Sequence, residues 1–248
     1  IKLWTEPDAV GNWNDLRLSF QNVNIGDITP LITRKNRIEG LLNGDATIED
    51  PQKRFNINSN LTINAARLDD DSIGDMRATL VYDNQTGKLA IQASNLNTEH
   101  HFDVTVALNV KDTVTNVQVH SKLKSFQLSF LNRFLGIVFS DIQGYVTGDL
   151  DVGIGPEGTN VVSKAKVHDA SFKVNFTQVT YKIEDTEVDL KKDYIDLSNI
   201  RIRDKDGNLA TVKGGIKHNA FTNMNYDILV ETQSKNFDLL NTTINDNQ

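Results

Sequence analysis

The sequence contains no cysteine. A disulfide framework, a Cys-ligated zinc site, an iron–sulfur cluster and a thiol nucleophile are therefore excluded. A cysteine-free chain suits an oxidising compartment as well as a reducing one. Long apolar runs are also missing. The longest nearly uncharged apolar stretch is Phe-Leu-Gly-Ile-Val-Phe-Ser at 134–140, far below the roughly 18 residues of a membrane-spanning helix. Only 4 prolines occur in 248 residues, and no Ala-Leu-Glu runs announce long helices. Basic residues are the minority: 26 Lys and Arg against 33 Asp and Glu, a net charge of −7. A nucleic-acid binder would need a basic face, so that class is disfavoured. At 38% hydrophobic residues the chain is too apolar for a disordered one. Residue 1 is isoleucine, and 1–7 has neither the basic region nor the apolar core of a leader. The expectation is a fragment of a larger protein.

What is present is a period of two. Phe102, Val104, Val106, Leu108 and Val110 alternate with Asp103, Thr105, Ala107 and Asn109. The pattern recurs at Phe55 and Ile57 and, after a phase shift, at Leu61 and Ile63. It returns at Leu89, Ile91 and Ala93; at Phe172, Val174 and Phe176; at Ile195 and Leu197; and at Tyr226, Ile228 and Val230. Each run predicts a strand with one apolar and one polar face. Turn signals separate the runs, among them Asp83-Asn84-Gln85-Thr86-Gly87, Asp204-Lys205-Asp206-Gly207-Asn208 and Gly214-Gly215. The count is roughly fifteen strands. Two stretches predict short helices: 28–35, following Asp27 with Pro30 near the first turn, and 130–139, with Phe130, Phe134, Leu135 and Val138 on one stripe.

An internal repeat is visible. Ile38-Glu39-Gly40-Leu41-Leu42-Asn43-Gly44-Asp45 resembles Ile142-Gln143-Gly144-Tyr145-Val146-Thr147-Gly148-Asp149, an offset of 142 − 38 = 104 residues. The same offset pairs Ser59 with Ser163, Ile63 with Val167, Ala66 with Ala170 and Leu68 with Phe172. Repetition of a unit with one apolar face predicts side-by-side extension.

The order of elements in the second copy carries a family resemblance. A short apolar helix precedes Ile142–Gly148; then come Ala170-Ser171-Phe172-Lys173-Val174, Tyr181-Lys182-Ile183 and Ile195-Asp196-Leu197. The run Arg203-Asp204-Lys205-Asp206-Gly207-Asn208-Leu209-Ala210 through Gly215 follows, and then Lys235-Asn236-Phe237-Asp238-Leu239-Leu240-Asn241. This resembles the TamB (translocation and assembly module) family of the AsmA-like superfamily, which is similar to bridge-like lipid-transfer proteins. The resemblance implies an all-β fold: a long curled antiparallel sheet, the β-taco, with an apolar concave groove and one or two short helices. It implies tandem repeats at 1–125 and 126–248 in one continuous sheet. It further implies a segment of a periplasm-spanning protein of a diderm bacterium, with an inner-membrane anchor outside this sequence. The far end of such a protein meets an outer-membrane barrel of the BamA/TamA type, with no residue here assignable to that docking. Phospholipid acyl chains are the implied partner, and neither an enzymatic activity nor a cofactor is expected.

The residues expected to line the groove are Ile57, Leu61, Ile63, Phe102, Val104, Val106, Leu108, Phe172, Val174, Phe176, Ile195, Leu197 and Ile228. The physical motive is the exposure of acyl chains in water, at about 0.8 kcal/mol per methylene, which a continuous apolar surface offsets. Two rival classes stand beside this. A scaffold or chaperone for outer-membrane β-barrel assembly and secretion would pair a client strand with an open sheet edge. A carbohydrate-active enzyme would use paired carboxylates, for which Asp185, Glu187 and Asp189 share a face. Adjacent His100 and His101 point to opposite faces of a strand, so they do not chelate together. Asp69-Asp70-Asp71 and the Asp204–Asn208 run read as solvated turns rather than calcium sites, the latter lacking the distal Glu of an EF-hand. Gly153-Ile154-Gly155-Pro156-Glu157-Gly158 has dinucleotide-loop spacing but no helix pattern after it.

Overall fold

The computed structural model describes residues 1–7, 10, 15–27, 37–69, 71–114, 116–219 and 222–241; the side chains of Glu6, Arg133, Phe134 and Thr222 are not described. Within these residues the chain is all-β, built on a large antiparallel sheet. It divides into two compact units: Ile1–Ser121 with Gly153–Glu157, and Lys122–Val152 with Gly158–Gln248.

Unit 1 is a meander in which each strand pairs antiparallel with the next. It comprises β1 (Lys2–Glu6), β2 (Asp15–Asn24), β3 (Ile38–Glu49), β4 (Asn56–Leu68), β5 (Asp71–Asp83), β6 (Lys88–Asn95) and β7 (His101–Asn109). Short connections suffice because antiparallel neighbours need only hairpins. The β5–β6 turn is closed by Asp83, whose carboxylate accepts the N–H groups of Gln85 at 2.8 Å and Thr86 at 3.1 Å. A 3-10 turn, Ile25–Asp27, follows β2. The helix expected at 28–35 lies outside the described residues. Strands β8 (Val117–Gln127) and β9 (Phe139–Gly155) contribute residues to both units.

Unit 2 holds β10 (Gly158–Val174), β11 (Val179–Ile183), β12 (Thr186–Lys191), β13 (Tyr194–Asp196), β14 (Ile200–Arg203), β15 (Leu209–Asn219) and β16 (Thr222–Thr232). Between β8 and β9 the helix expected over 130–139 is shorter. A 3-10 turn, Leu128–Leu131, runs into one α-helical turn, Asn132–Leu135, and β9 starts at Phe139. Neither turn has a side-chain cap on its first residue, and so short a helix has little stability of its own. The Val138 N–H then donates to the Leu135 carbonyl, and the Asn175 N–H takes the Val138 carbonyl, delivering the chain into the sheet.

The pairing order of unit 2 closes on itself, β10–β11–β14–β15–β13–β12–β10, the connectivity of a closed barrel, where an open sheet is expected from the sequence. The registers explain the circuit. Along β10, Ala170 faces Ile183, Val167 faces Thr186 and Ser163 faces Leu190. One unbroken register therefore carries through β11 and β12, which are two halves of a single lane interrupted at Glu184 and Asp185. Along β15, Ile200 of β14 faces Val212 and Asp196 of β13 faces Gly215, a second split lane with one extra residue.

The buried core lies in unit 2. One cluster joins Val179, Tyr181, Ile200, Ile202, Ala210, Val212 and Phe237. A second joins Leu128, Ile142, Val167 and Ala170, with Leu131, Leu135, Phe139 and Val146 against them. Among the described residues of unit 1, the buried apolar side chains are Ala66 and Phe102.

Glycines allow the closest strand approaches. A Cβ on Gly40 (φ +143°) would lie 3.2 Å from the Cα of Ala66, and one on Gly144 (φ +106°) 2.5 Å from the Cα of Ala170. Both pairs are 104 residues apart. So are Ala65 and Asp169, each at φ +51°. Asn22 and Ser125 also match, at φ +48° and +47°. The N–H of Asn22 donates to Asn43 Oδ1, and that of Ser125 to Thr147 Oγ1, acceptors separated by the same offset.

Gly144→Ala is expected to cost about 3 kcal/mol, because a left-handed residue gains a Cβ against backbone. Gly74 has φ +86° but nothing within 4 Å of its Cβ position. Gly74→Ala is therefore expected to cost only about 1 kcal/mol. Urea unfolding of the two variants measures the difference; equal losses would mean that close approach contributes nothing.

Candidate apolar binding face

Register assembles the alternating residues of unit 1 into four cross-strand rows. The first runs Thr5, Leu16, Ile48, Ile57, Tyr82, Leu89, Leu108. The second runs Leu3, Leu18, Ala46, Ser59, Leu80, Ile91, Val106. The third runs Phe20, Gly44, Leu61, Ala78, Ala93, Val104. The fourth runs Val23, Leu42, Ile63, Met76, Asn95, and Phe102 follows, its N–H donating to Asn95 Oδ1 at 3.0 Å. All four rows share one face, since side chains two apart on a strand point the same way. At about 4.8 Å per strand the rows cross roughly 29 Å, close to twice the depth of one bilayer leaflet's hydrocarbon. Most of these side chains are half-buried rather than enclosed.

Three polar residues sit on this face, and each has a partner or an end position. Ser59 stands between Ile57 and Leu61, and its hydroxyl accepts the Leu80 N–H at 3.0 Å. The phase shift expected in β4 is therefore not there; Ile57, Ser59, Leu61 and Ile63 share one phase. Asn95 is buried, with its Nδ2 donating to the His100 carbonyl at 2.7 Å. It closes the β6–β7 loop where the rows end. Thr5 lies in the edge strand β1.

The opposite face is polar. An open depression of about 430 Å³ there is lined by Arg17, Asp45, Thr47, Asn58, Asn60 and Thr79, with Arg17 Nη1 donating to Thr47 Oγ1 at 2.6 Å.

Seven of the expected lining residues, Ile57, Leu61, Ile63, Phe102, Val104, Val106 and Leu108, fall on the four rows. The other six lie in unit 2. Phe172 packs against both clusters, and Val174 and Leu197 against the first. Ile195 faces Leu190 on one side and Ile216 on the other. Ile228 is 36% exposed in β16. Phe176 is 75% exposed in the turn after β10, where Gln178 N–H donates back to the Val174 carbonyl and ends the strand. Leu16, Leu18, Ile48, Leu80 and Tyr82 belong to the rows but carry only a weak alternation in sequence; register, not period, recruits them.

The remaining candidates resolve into structural roles. Glu187 faces Lys166, and Asp189 faces Lys164, across β10–β12. Glu184 is bound by Arg201 Nε at 3.1 Å and Arg203 Nη2 at 2.6 Å. His101 Nε2 lies 3.2 Å from Asp103 Oδ2. Asp69 Oδ1 accepts the Arg37 N–H at 2.7 Å, and Asp70 is outside the described residues. Among the described residues no group of three His, Asp or Glu is placed to hold a metal, and no helix is long and apolar enough to cross a membrane.

Asp204 is the exception in burial, at 3% exposed. Its carboxylate accepts the N–H groups of Asp206 (3.0 Å), Asn208 (2.8 Å) and Asp238 (3.0 Å), and the Asn208 side-chain amide (2.9 Å). The run therefore closes the β14–β15 turn and ties down the segment after β16. There Phe237 stacks on Tyr181 with ring centroids 5.5 Å apart, and Tyr181 Oη donates to the Asp238 carbonyl at 2.8 Å. Burial alone would raise the Asp204 carboxyl; the Asn208 amide and the three N–H donors more than reverse it, so it sits below the ordinary 3.8.

No protein-family model, curated protein or solved structure matches the chain.

A carboxylate with a depressed folded-state value stabilises the fold fully above its unfolded value, and that stability is lost as pH falls through the folded one. Asp204 thus adds to an acid-side loss of stability below about pH 3.8. Asp83, held down first by the Thr86 N–H, and Asp196, first by the Ser198 N–H, add to the same limb. Asp204→Asn is expected to lower the melting temperature at pH 7 and to shrink, not abolish, its fall toward pH 3. Circular-dichroism melts across that range measure it; an unchanged slope would remove Asp204 from the acid limb.

Proposed function

We propose that the chain is a segment of a lipid conduit, in which acyl chains lie along the apolar rows of a curled sheet made of two related repeats. The observation that carries this reading is the set of four apolar rows in unit 1, continuous across seven strands, with two buried apolar side chains beneath them among the described residues. An ordinary sheet of that size packs its apolar face under a second layer. Acyl chains are suited to the place because they are apolar, flexible and without hydrogen-bonding groups, and the rows offer them no unsatisfied polar atom at Ser59 or Asn95. Rows of Val, Ile, Leu and Ala differ little from step to step, so no position binds a methylene much more tightly than its neighbours.

The matched geometry at 104 residues, Gly40 with Gly144 and Ala65 with Asp169, supports the repeat. The resemblance to the TamB family supports the wider setting: a periplasmic bridge carrying phospholipid toward the outer membrane, with its anchor and barrel contacts elsewhere in a longer protein.

The test is a charge on the rows. Val106 is half-buried in the second row, so the carboxylate of Val106→Glu can reach water. That variant is expected to lose about 1 kcal/mol of stability or less and most of its binding to phospholipid, read by native mass spectrometry after incubation with vesicles. Val167→Glu, in the buried cluster of unit 2, is expected to cost about 3 kcal/mol or more. Full lipid binding by the Val106 variant would sink the reading.

A further inference from the structure

We propose that the segment from Leu128 to Phe139 is a plug, filling in unit 2 the acyl-chain site that the rows form in unit 1 and withdrawing when an acyl chain takes its place. The inference rests on the lipid reading of the rows and adds a regulation to it.

Positions related by the 104-residue offset have different covers. Ile38 is 40% exposed, whereas Ile142 is 7% exposed. Ile63 is half-buried, whereas Val167 is buried. The strand geometry beneath them is alike, because Gly40 approaches Ala66 as Gly144 approaches Ala170. What differs is the layer above: in unit 2, Leu128, Leu131, Leu135 and Phe139 lie on Ile142, Val146, Val167 and Ala170. Leucine side chains on an apolar sheet face occupy the place of acyl methylenes and bury the same kind of surface. One can replace the other with little net loss of apolar contact.

The attachment of the segment suits exchange. It is one 3-10 turn and one α turn, neither with a side-chain cap. Its polar ties at the far end come from Asn175, whose Nδ2 donates to the carbonyls of Gly136 at 2.9 Å and Ile137 at 3.3 Å and whose N–H takes that of Val138 at 2.9 Å. At the near end Asn132 Oδ1 accepts the Ile142 N–H at 3.1 Å. Ile137 stands 92% exposed at the tip, an apolar side chain already in water. Displacing the segment breaks these few bonds and no strand pairing of β10.

Hydrogen exchange on the intact chain, with and without vesicles of phosphatidylethanolamine and phosphatidylglycerol, tests the proposal. The amides of 128–138 are expected to exchange about tenfold faster with vesicles, while β4–β7 become slower and β15 is unchanged. Protection of β4–β7 with no acceleration at 128–138 would overturn the plug and leave the lipid reading standing. Acceleration of β15 together with 128–138 would mean that unit 2 unfolds, and would also overturn it. No protection of β4–β7 would sink the lipid reading itself, and the plug with it.

Discussion

An antiparallel strand satisfies its backbone through its neighbours and sorts its side chains onto two faces. Everything distinctive in this molecule follows from what covers the apolar one. In unit 2 the cover is the chain's own. Leu128, Leu131, Leu135 and Phe139 lie over one region and Phe237, stacked on Tyr181, over another. In unit 1 the rows from Leu16 to Leu108 are the same kind of surface, with burial reached at Ala66 and Phe102. A surface of that kind in water has a free-energy reason to acquire something apolar, which is why the functional reading is sought there rather than at any single side chain.

Polar groups near the apolar faces obey the same constraint. A buried donor or acceptor left without a partner costs more than a made hydrogen bond returns. Ser59 gives its oxygen to the Leu80 N–H, Asn95 uses both ends of its amide on backbone, and Asp204 collects four donors. These side chains look in sequence like interruptions or sites. In the fold each replaces a missing backbone partner at a turn, a loop or a strand neighbour. Asp204 does so twice over, closing its own turn and anchoring Asp238 thirty-four positions on.

Much of this was legible from residues alone, and the limits have physical causes. Alternation along Phe102–Leu108 marked β7 and its inward face, because a strand's own period needs no knowledge of its neighbours. The apparent phase shift at Ser59 arose because the partner that makes a serine acceptable there, Leu80, is on another strand. Leu16, Leu18 and Ile48 were not marked as lining residues; only register sets them beside Ile57 and Leu108. The break at Glu184 and Asp185 reads as an ordinary turn, and only the continuous register on β10 reveals two strands sharing one lane. Phe176 continued a period of two past the point where the Gln178–Val174 bond ends the strand.

The glycines tie the two units to one strand geometry and leave their difference to be explained elsewhere. Gly40 and Gly144 both occupy backbone conformations that an L side chain rarely adopts, and both admit an alanine backbone where a Cβ would otherwise stand. Ala65 and Asp169 hold the same left-handed angle although their side chains have nothing in common. A constraint that survives such a change of side chain belongs to the pairing of the strands. Ile38 and Ile142, by contrast, are identical residues at matched positions with unlike exposure, 40% and 7%. Strand geometry therefore does not determine burial here. Burial is set by the segment laid over the strands, and it is in that layer, rather than in the sheet, that the two units acquire different properties.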